Sequence, residues 1–199
     1  MTATVFLLRH AAHDNVGGFL AGRMPDIRLG VEGLAQAKRL GERMARERFD
    51  ALYASPQPRT QETARAVADA RGGMPIETTE ALDEIDFGSW AGSRFDELNS
   101  QEDWRQWNAQ RSLGATPAGE TMLDVQQRVF AFLRPFIAQP NDSRIALVSH
   151  ADVIRAIVGH VLGMSIDSLQ RFEISPASIT TMVLGPWGGK LITINETTP

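Results

Sequence analysis

Short apolar runs and amphipathic stretches alternate along the chain. Residues 4–8 (TVFLL) form an apolar run closed at once by Arg9-His10, the pattern of a strand buried on both faces. Residues 31–48 carry Leu34, Ala37, Leu40, Met44 and Ala45 at helical spacing, with charges opposite. Residues 51–54 (ALYA) predict a second strand. Residues 57–70 predict a second helix, with Ser55 as its N-cap and Pro58 in its first turn. A short third strand is expected over 76–79. Between 93 and 111, Phe95, Leu98, Trp104 and Trp107 are spaced by polar residues, which predicts one or two short helices over the main body. Residues 119–138 read as a helix with Met122, Val125, Val129, Phe132 and Leu133 on one side, kinked or stopped by Pro135. Residues 144–148 (RIALV) are the clearest strand, followed by a helix over 151–162. Residues 178–184 and 190–195 flank the turn-rich segment Gly185-Pro186-Trp187-Gly188-Gly189 and predict an antiparallel edge hairpin.

Strands alternating with helices predict one α/β domain over 1–199. It has three layers: a mainly parallel central sheet with helices on both faces. An antiparallel C-terminal edge hairpin and a small helical excursion at about 93–117 complete it. The chain has 199 residues, 43% hydrophobic and 22% charged, a globular balance. Lys plus Arg is 20 against 24 Asp plus Glu, a formal charge of −4, which argues against nucleic acid or an anionic membrane as partner. With no cysteine, thiolate metal sites, disulfides and a Cys nucleophile are excluded. The first apolar run is too short for a signal peptide, and no run approaches a membrane span, so a cytoplasmic protein is expected.

In parallel α/β sheets, ligands bind beyond the carboxyl ends of the strands. The first strand ends in Arg9-His10, the second leads through Ser55-Pro56-Gln57-Pro58 into Arg59, and the late strand ends in Ser149-His150. Each residue alone reads equally as a cap or a surface ion pair. Four together suggest a site. A metal is disfavoured, because guanidiniums beside His10 and His150 repel a cation and no third ligand is evident. Phosphate suits the set. Arginine offers a planar fork of donors to phosphate oxygens, and a neutral imidazole attacks phosphorus when its other nitrogen is held as a donor. Arginines neutralising the oxygens leave no need for a metal or other cofactor.

Leu8-Arg9-His10 resembles the L-x-R-H motif of the histidine phosphatase superfamily, also called phosphoglycerate mutase-like. Leu29 to Ala37 resembles its L-T-x-x-G-x-x-Q-A segment, and Ser55 to Ala64 its S-x-x-x-R-x-x-Q-T-A segment. Leu82 to Gly92 resembles L-x-E-x-x-F-G-x-W-E-G, Gly119-Glu120-Thr121 with Arg128 resembles the G-E-S segment, and Val148 to Ala151 resembles V-S-H-G. The resemblance implies that His10 is the nucleophile and that Arg9, Arg59 and His150 hold the phosphoryl group. It makes Glu84 the general acid and then the base, although Asp83 and Asp86 stand in the same acidic stretch. Arg9 and Arg59 should depress the pKa of Glu84, whereas an acid working near neutrality needs it raised.

The chain departs from the family after His10. Ala11-Ala12 replace Gly and a polar residue. His13 stands where Ser or Thr often binds the phosphoryl group, and reads equally as an exposed loop histidine. Val16 occupies the place of a family Asn, with Asn15 one position early. Gly22-Arg23 resembles the loop that touches substrate, Arg23 adding a cation for a second anionic group. Trp90, Trp104 and Trp107 read as buried core or as the pocket mouth, and His160 as a cap or an exposed residue. The implied function is a metal-independent phosphomonoesterase acting on a small phosphorylated metabolite through a phosphohistidine. The alternatives are a cofactor-dependent phosphoglycerate mutase, disfavoured by the lack of an Arg-Arg pair in 93–117, and a catalytically silent phosphate-binding module.

Overall fold

The computed structural model describes residues 2–138 and 141–198. Six strands form one sheet: β1 (Ala3–Arg9), β2 (Ala51–Ala54), β3 (Ile76–Thr78), β4 (Ser143–Ser149), β5 (Ile179–Gly185) and β6 (Gly188–Glu196). Their spatial order is β3-β2-β4-β1-β5-β6. The first four are mutually parallel, and β5 and β6 add the expected antiparallel hairpin. Period-two alternation assigns side chains to the two faces. Val5, Leu7, Ile145 and Leu147 pack with α5 (Met122–Ala138) and α6 (Ala151–Val161). Phe6, Leu8, Ala146 and Val148 pack with α1 (Val31–Met44) and α2 (Pro58–Asp69). Among the described residues no helix is long and apolar enough to cross a membrane.

Three local expectations change. The helix expected over 31–48 ends at Met44, and Leu34 and Ala45 are exposed. Its inward face is instead Gly33, Ala37, Leu40, Gly41 and Met44. The reason is close approach: a Cβ on Gly41 would lie 2.5 Å from the Ala66 carbonyl oxygen of α2, so small residues, not Leu34, face the neighbouring helix. Ser55 does not cap α2; Gln57 occupies the N-cap position without a side-chain bond, while Ser55 turns into the site described below. The helix expected from 119 begins at Met122, behind a reciprocal Thr121–Asp124 hydrogen-bond pair, and carries Pro135 inside it to Ala138. Met122, Val125, Val129 and Leu133 are fully buried, whereas Phe132 is half-buried against Tyr53.

The excursion forms α3 (Phe95–Ser100) and α4 (Glu102–Ala109). Trp90, Trp104 and Trp107 are buried and meet one another at ring-centroid distances of 5.2 to 5.8 Å, giving this small layer its own aromatic core. An isolated bridge between Phe19 and Arg94 ties it to the loop that follows β1. His160 is exposed at the end of α6, its ring 4.2 Å from that of Phe130.

Candidate active site

The site follows from strand register. β1 and β4 are parallel with Arg9 opposite Ser149, so the next residue of each, His10 and His150, leaves the sheet at the same level. Their ring centroids are 5.1 Å apart. Ala54 lies opposite Val148, which brings Ser55 and then the first turn of α2 to the same edge. From that turn Arg59, 1% exposed, reaches between the rings. Its Nε donates to His10 Nε2 at 3.3 Å, and its Nη2 donates to His150 Nδ1 at 3.1 Å and to the Gly22 carbonyl at 2.7 Å.

Both histidine tautomers follow from these bonds. His10 Nδ1 donates to the Ala11 carbonyl at 2.8 Å, leaving a lone pair on Nε2. Because Arg59 can only donate, His150 Nδ1 is an acceptor and its Nε2–H faces Ser55 Oγ at 2.9 Å. Ser55 in turn donates to Asp83 Oδ1 at 3.0 Å. Burial, together with the charges of Arg59 and Arg9, holds the pKa of His10 well below its ordinary value. Burial does the same for His150, with Arg59 again the leading charge. Both rings are therefore neutral at neutral pH.

The loop after His10 is locked from behind. The Ala11 amide donates to Thr63 Oγ1 and the Ala12 amide to Gln36 Oε1, both at 3.0 Å. A Cβ on Gly33 would lie 1.8 Å from the Ala12 carbonyl oxygen, so only glycine admits this approach of α1 to the loop.

Glu84 resolves the conflict posed by its arginine neighbours. Burial pushes its pKa up to about 7, Asp152 adds to the rise, and Arg59 and Arg9 offset only part of it. Its Oε2 lies 3.7 Å from His150 Nδ1. Asp83 is saturated by Ser55, Gln57 and the Glu84 amide, and Asp86 is half-exposed and accepts from the Gly88 amide. Of the three carboxylates in the acidic stretch, Glu84 alone lines the cavity in front of the rings.

That cavity has a volume of about 280 Å³. Four guanidiniums, those of Arg9, Arg59, Arg111 and Arg155, line it together with Glu84 and Asp152. Among the described residues nine buried side-chain nitrogen or oxygen atoms have no hydrogen-bond partner. Six of them belong to residues lining this cavity: Arg9 Nε, His13 Nδ1, Arg59 Nη1, Trp107 Nε1, Arg111 Nε and Arg155 Nε. Unsatisfied buried N–H groups are costly, and their concentration in one place marks a site built for an acceptor-rich anion.

The model of the histidine phosphatase superfamily (branch 1) matches residues 5–197. The chain belongs to the histidine phosphatase superfamily. It is 28% identical to phosphoserine phosphatase 1 of Hydrogenobacter thermophilus over 97% of this chain and 92% of the relative. It is 31% identical to a probable phosphoglycerate mutase of an Enterobacter species over 92% of this chain and 86% of that one. Its fold matches the solved structure of a mycobacterial glucosyl-3-phosphoglycerate phosphatase with a TM-score of 0.87 at 20% identity, covering 99% of this chain and 100% of that one.

In this histidine phosphatase superfamily member, Arg9, His10, His13, Gly22, Arg59 and Glu84 line the cavity, and His150 stands behind Arg59. Two expected substrate-binding residues do not line it. Asn15 is exposed, its carbonyl accepting from Gly18. Arg23 is turned away: its Nη2 donates to Glu120 at 2.7 Å and its Nε to the Glu84 carbonyl at 2.8 Å, because Glu120, Asp83 and Asp86 surround it with negative charge. With Arg128, which also donates to Glu120 and to the Asp83 and Glu84 carbonyls, it fixes the backbone that presents Glu84. The sequence reading missed the Ser55–Asp83 relay and the trio Arg111, Asp152 and Arg155. Asp152 and Arg155 had a readable signal, since they follow His150 on one face of the next helix. Arg111 had none.

Proposed function

We propose that the protein is a metal-independent phosphomonoesterase that hydrolyses a small phosphorylated metabolite through a phosphohistidine on His10. One observation carries the reading: a neutral imidazole whose unprotonated Nε2 accepts from Arg59 and a carboxyl poised to titrate near neutrality line the same guanidinium-walled cavity. In the first step His10 Nε2 forms a bond to phosphorus as the bond to the ester oxygen breaks. Arg9 and Arg59 take the charge on the phosphoryl oxygens, His150 holds Arg59 in place through its Nδ1, and protonated Glu84 gives its proton to the leaving oxygen. In the second step Glu84, now ionised, takes a proton from water as the water oxygen bonds phosphorus and the P–N bond breaks. Phosphate leaves and His10 is again neutral. The Ala11 carbonyl stabilises the positive charge that His10 carries in between. The names of the relatives support the phosphatase reading, and one of them keeps the mutase alternative in view.

The test is a panel of phosphomonoesters assayed with a chelator present, comparing wild type with His10→Ala. Phosphate release by wild type alone, with an acid-labile, alkali-stable phosphoryl group trapped on His10, is expected. Isomerisation of 3-phosphoglycerate that depends on added bisphosphoglycerate, with little phosphate release, establishes the mutase instead. Loss of activity in chelator overturns the metal-free account.

A further inference from the structure

A second cavity, of about 270 Å³, opens on the outer side of α4. It shares one wall with the first, because Trp107 lines both. The exposed residues Asp103, Gln106 and Gln110 form one side of it, and the loop after α4, with Leu113 and Gly114, forms another. None of the residues that handle the phosphoryl group reaches it.

Trp107 is 2% exposed, and its Nε1–H has no partner. The ring cannot swing to find one. The Arg111 guanidinium lies 4.1 Å over it, the Trp104 ring stacks at 5.6 Å, and Phe87 and Trp90 meet it at steep angles at 5.7 and 5.8 Å. Its Cδ1, the atom bonded to Nε1, faces Gly114, where a Cβ would stand only 3.2 Å away. Glycine at 114 thus leaves the N–H corner of the ring open to the second cavity. A buried donor fixed in the wall of a cavity calls for an acceptor that enters it.

The groups around that corner narrow the chemistry. The indole offers only a donor, the Asp103 carboxylate only acceptors, and the carboxamides of Gln106 and Gln110 offer both. Among the described residues no Lys, Arg or His lines this cavity, in contrast to the four guanidiniums of the first. An anion would use the donors and be repelled by Asp103. A cation would use the acceptors and leave the indole N–H unmet. A neutral hydroxyl both donates and accepts, so neighbouring hydroxyls on one small molecule suit the whole set. Leu113, 80% exposed, offers apolar surface to the C–H groups between them.

We propose that this cavity is a second binding site, and that it takes an uncharged polyhydroxyl compound, a small sugar or polyol, one of whose oxygens accepts from Trp107 Nε1. The experiment follows the four indole N–H signals of the isotope-labelled chain by NMR while D-glucose, D-ribose or glycerol is added up to about 50 mM. Inorganic phosphate is present throughout to fill the first cavity. The Trp107 signal is assigned with Trp107→Phe or, should that variant not fold, with Gly114→Ala. At least one of the three compounds is expected to move it to a plateau, while the signal of the exposed Trp187 stays still. Gly114→Leu, which fills the corner, and Gln110→Ala are expected to weaken binding about 3-fold or more. If Gly114→Leu does not fold, Gln110→Ala decides alone. No movement with any of the three compounds overturns the proposal. An undiminished response in the variants does the same, since the sugar then binds elsewhere. An equal response to acetate or methylammonium overturns the ligand class. The signal is read without turnover, so the outcome stands apart from that of the phosphatase assay.

Discussion

Replacing Glu84 by glutamine separates what the proposed acid does for catalysis from what it costs the fold. Glutamine keeps the length and acceptor oxygen of the side chain and removes its ionisation. The folded chain holds the Glu84 carboxyl at about 7 against an ordinary 4.5, chiefly through burial. The native state therefore binds this proton more tightly than the unfolded state. Wild-type stability from this group is complete below pH 4.5, declines as pH rises towards 7, and is level above that. At about 1.4 kcal/mol per pH unit, ionised Glu84 costs about 3 kcal/mol at alkaline pH. Glu84→Gln lacks that decline. Urea melts at pH 5 and pH 8.5 should show the variant gaining on wild type by about 2–3 kcal/mol across the range, or roughly 4–12 °C in Tm. Titrating groups distant from Glu84 are common to both proteins and cancel in the difference. Activity moves the opposite way. Loss of a general acid lowers kcat by about 10² to 10⁴ for an alkyl phosphate, and by less for p-nitrophenyl phosphate, whose leaving group departs as the anion. A stability gap that stays constant between the two pH values would falsify the burial argument, and equal losses on the two esters would remove Glu84 from the acid role.

Three further outcomes are expected. For an alkyl phosphate, kcat/KM should fall about tenfold per pH unit above about pH 7 as Glu84 ionises. It should hold steady well below pH 6.5, because burial and Arg59 keep His10 neutral there; a rate still rising above pH 9 contradicts this. Ser55→Ala leaves the His150 Nε2–H and one Asp83 oxygen without their shared hydroxyl, so urea unfolding should show a loss of about 1–3 kcal/mol, with lower kcat from a misplaced His150. Unchanged kcat in this variant would mean that the relay does not position the ring. Gly33→Ala forces the loop after His10 to move away from α1, so kcat/KM should drop on the order of 10²-fold; wild-type kinetics would show that the loop has slack.

Much of this was legible in the chain because strands speak through local pattern. TVFLL and RIALV mark β1 and β4 as doubly buried, and the residues that follow such strands must fall at one edge of a parallel sheet. That is enough to bring Arg9, His10, Arg59 and His150 together. Direction within a loop is not legible in the same way. Arg23 reads as a cation near the substrate, and nothing in its neighbours shows that Glu120, distant in sequence, draws it to the other side of the Glu84 backbone. Arg111 is invisible for the same reason: its partner Asp152 lies on another element, 41 residues away. Ser55 reads as a cap because Ser before a helix is the local rule, but its tertiary partners His150 and Asp83 draw it away from the helix end. Leu34 reads as inward on hydrophobicity alone, whereas two helices packed backbone to backbone select glycine.

The flush ending of β1 and β4 has a consequence for tampering with the molecule. The paired rings of His10 and His150 are anchored by backbone pairing at the middle of the sheet, while Trp107, Asn108 and Arg111 belong to a layer inserted between β3 and β4. An engineer who transplants a different insertion there would keep the paired rings and rebuild only the wall of the cavity that faces them.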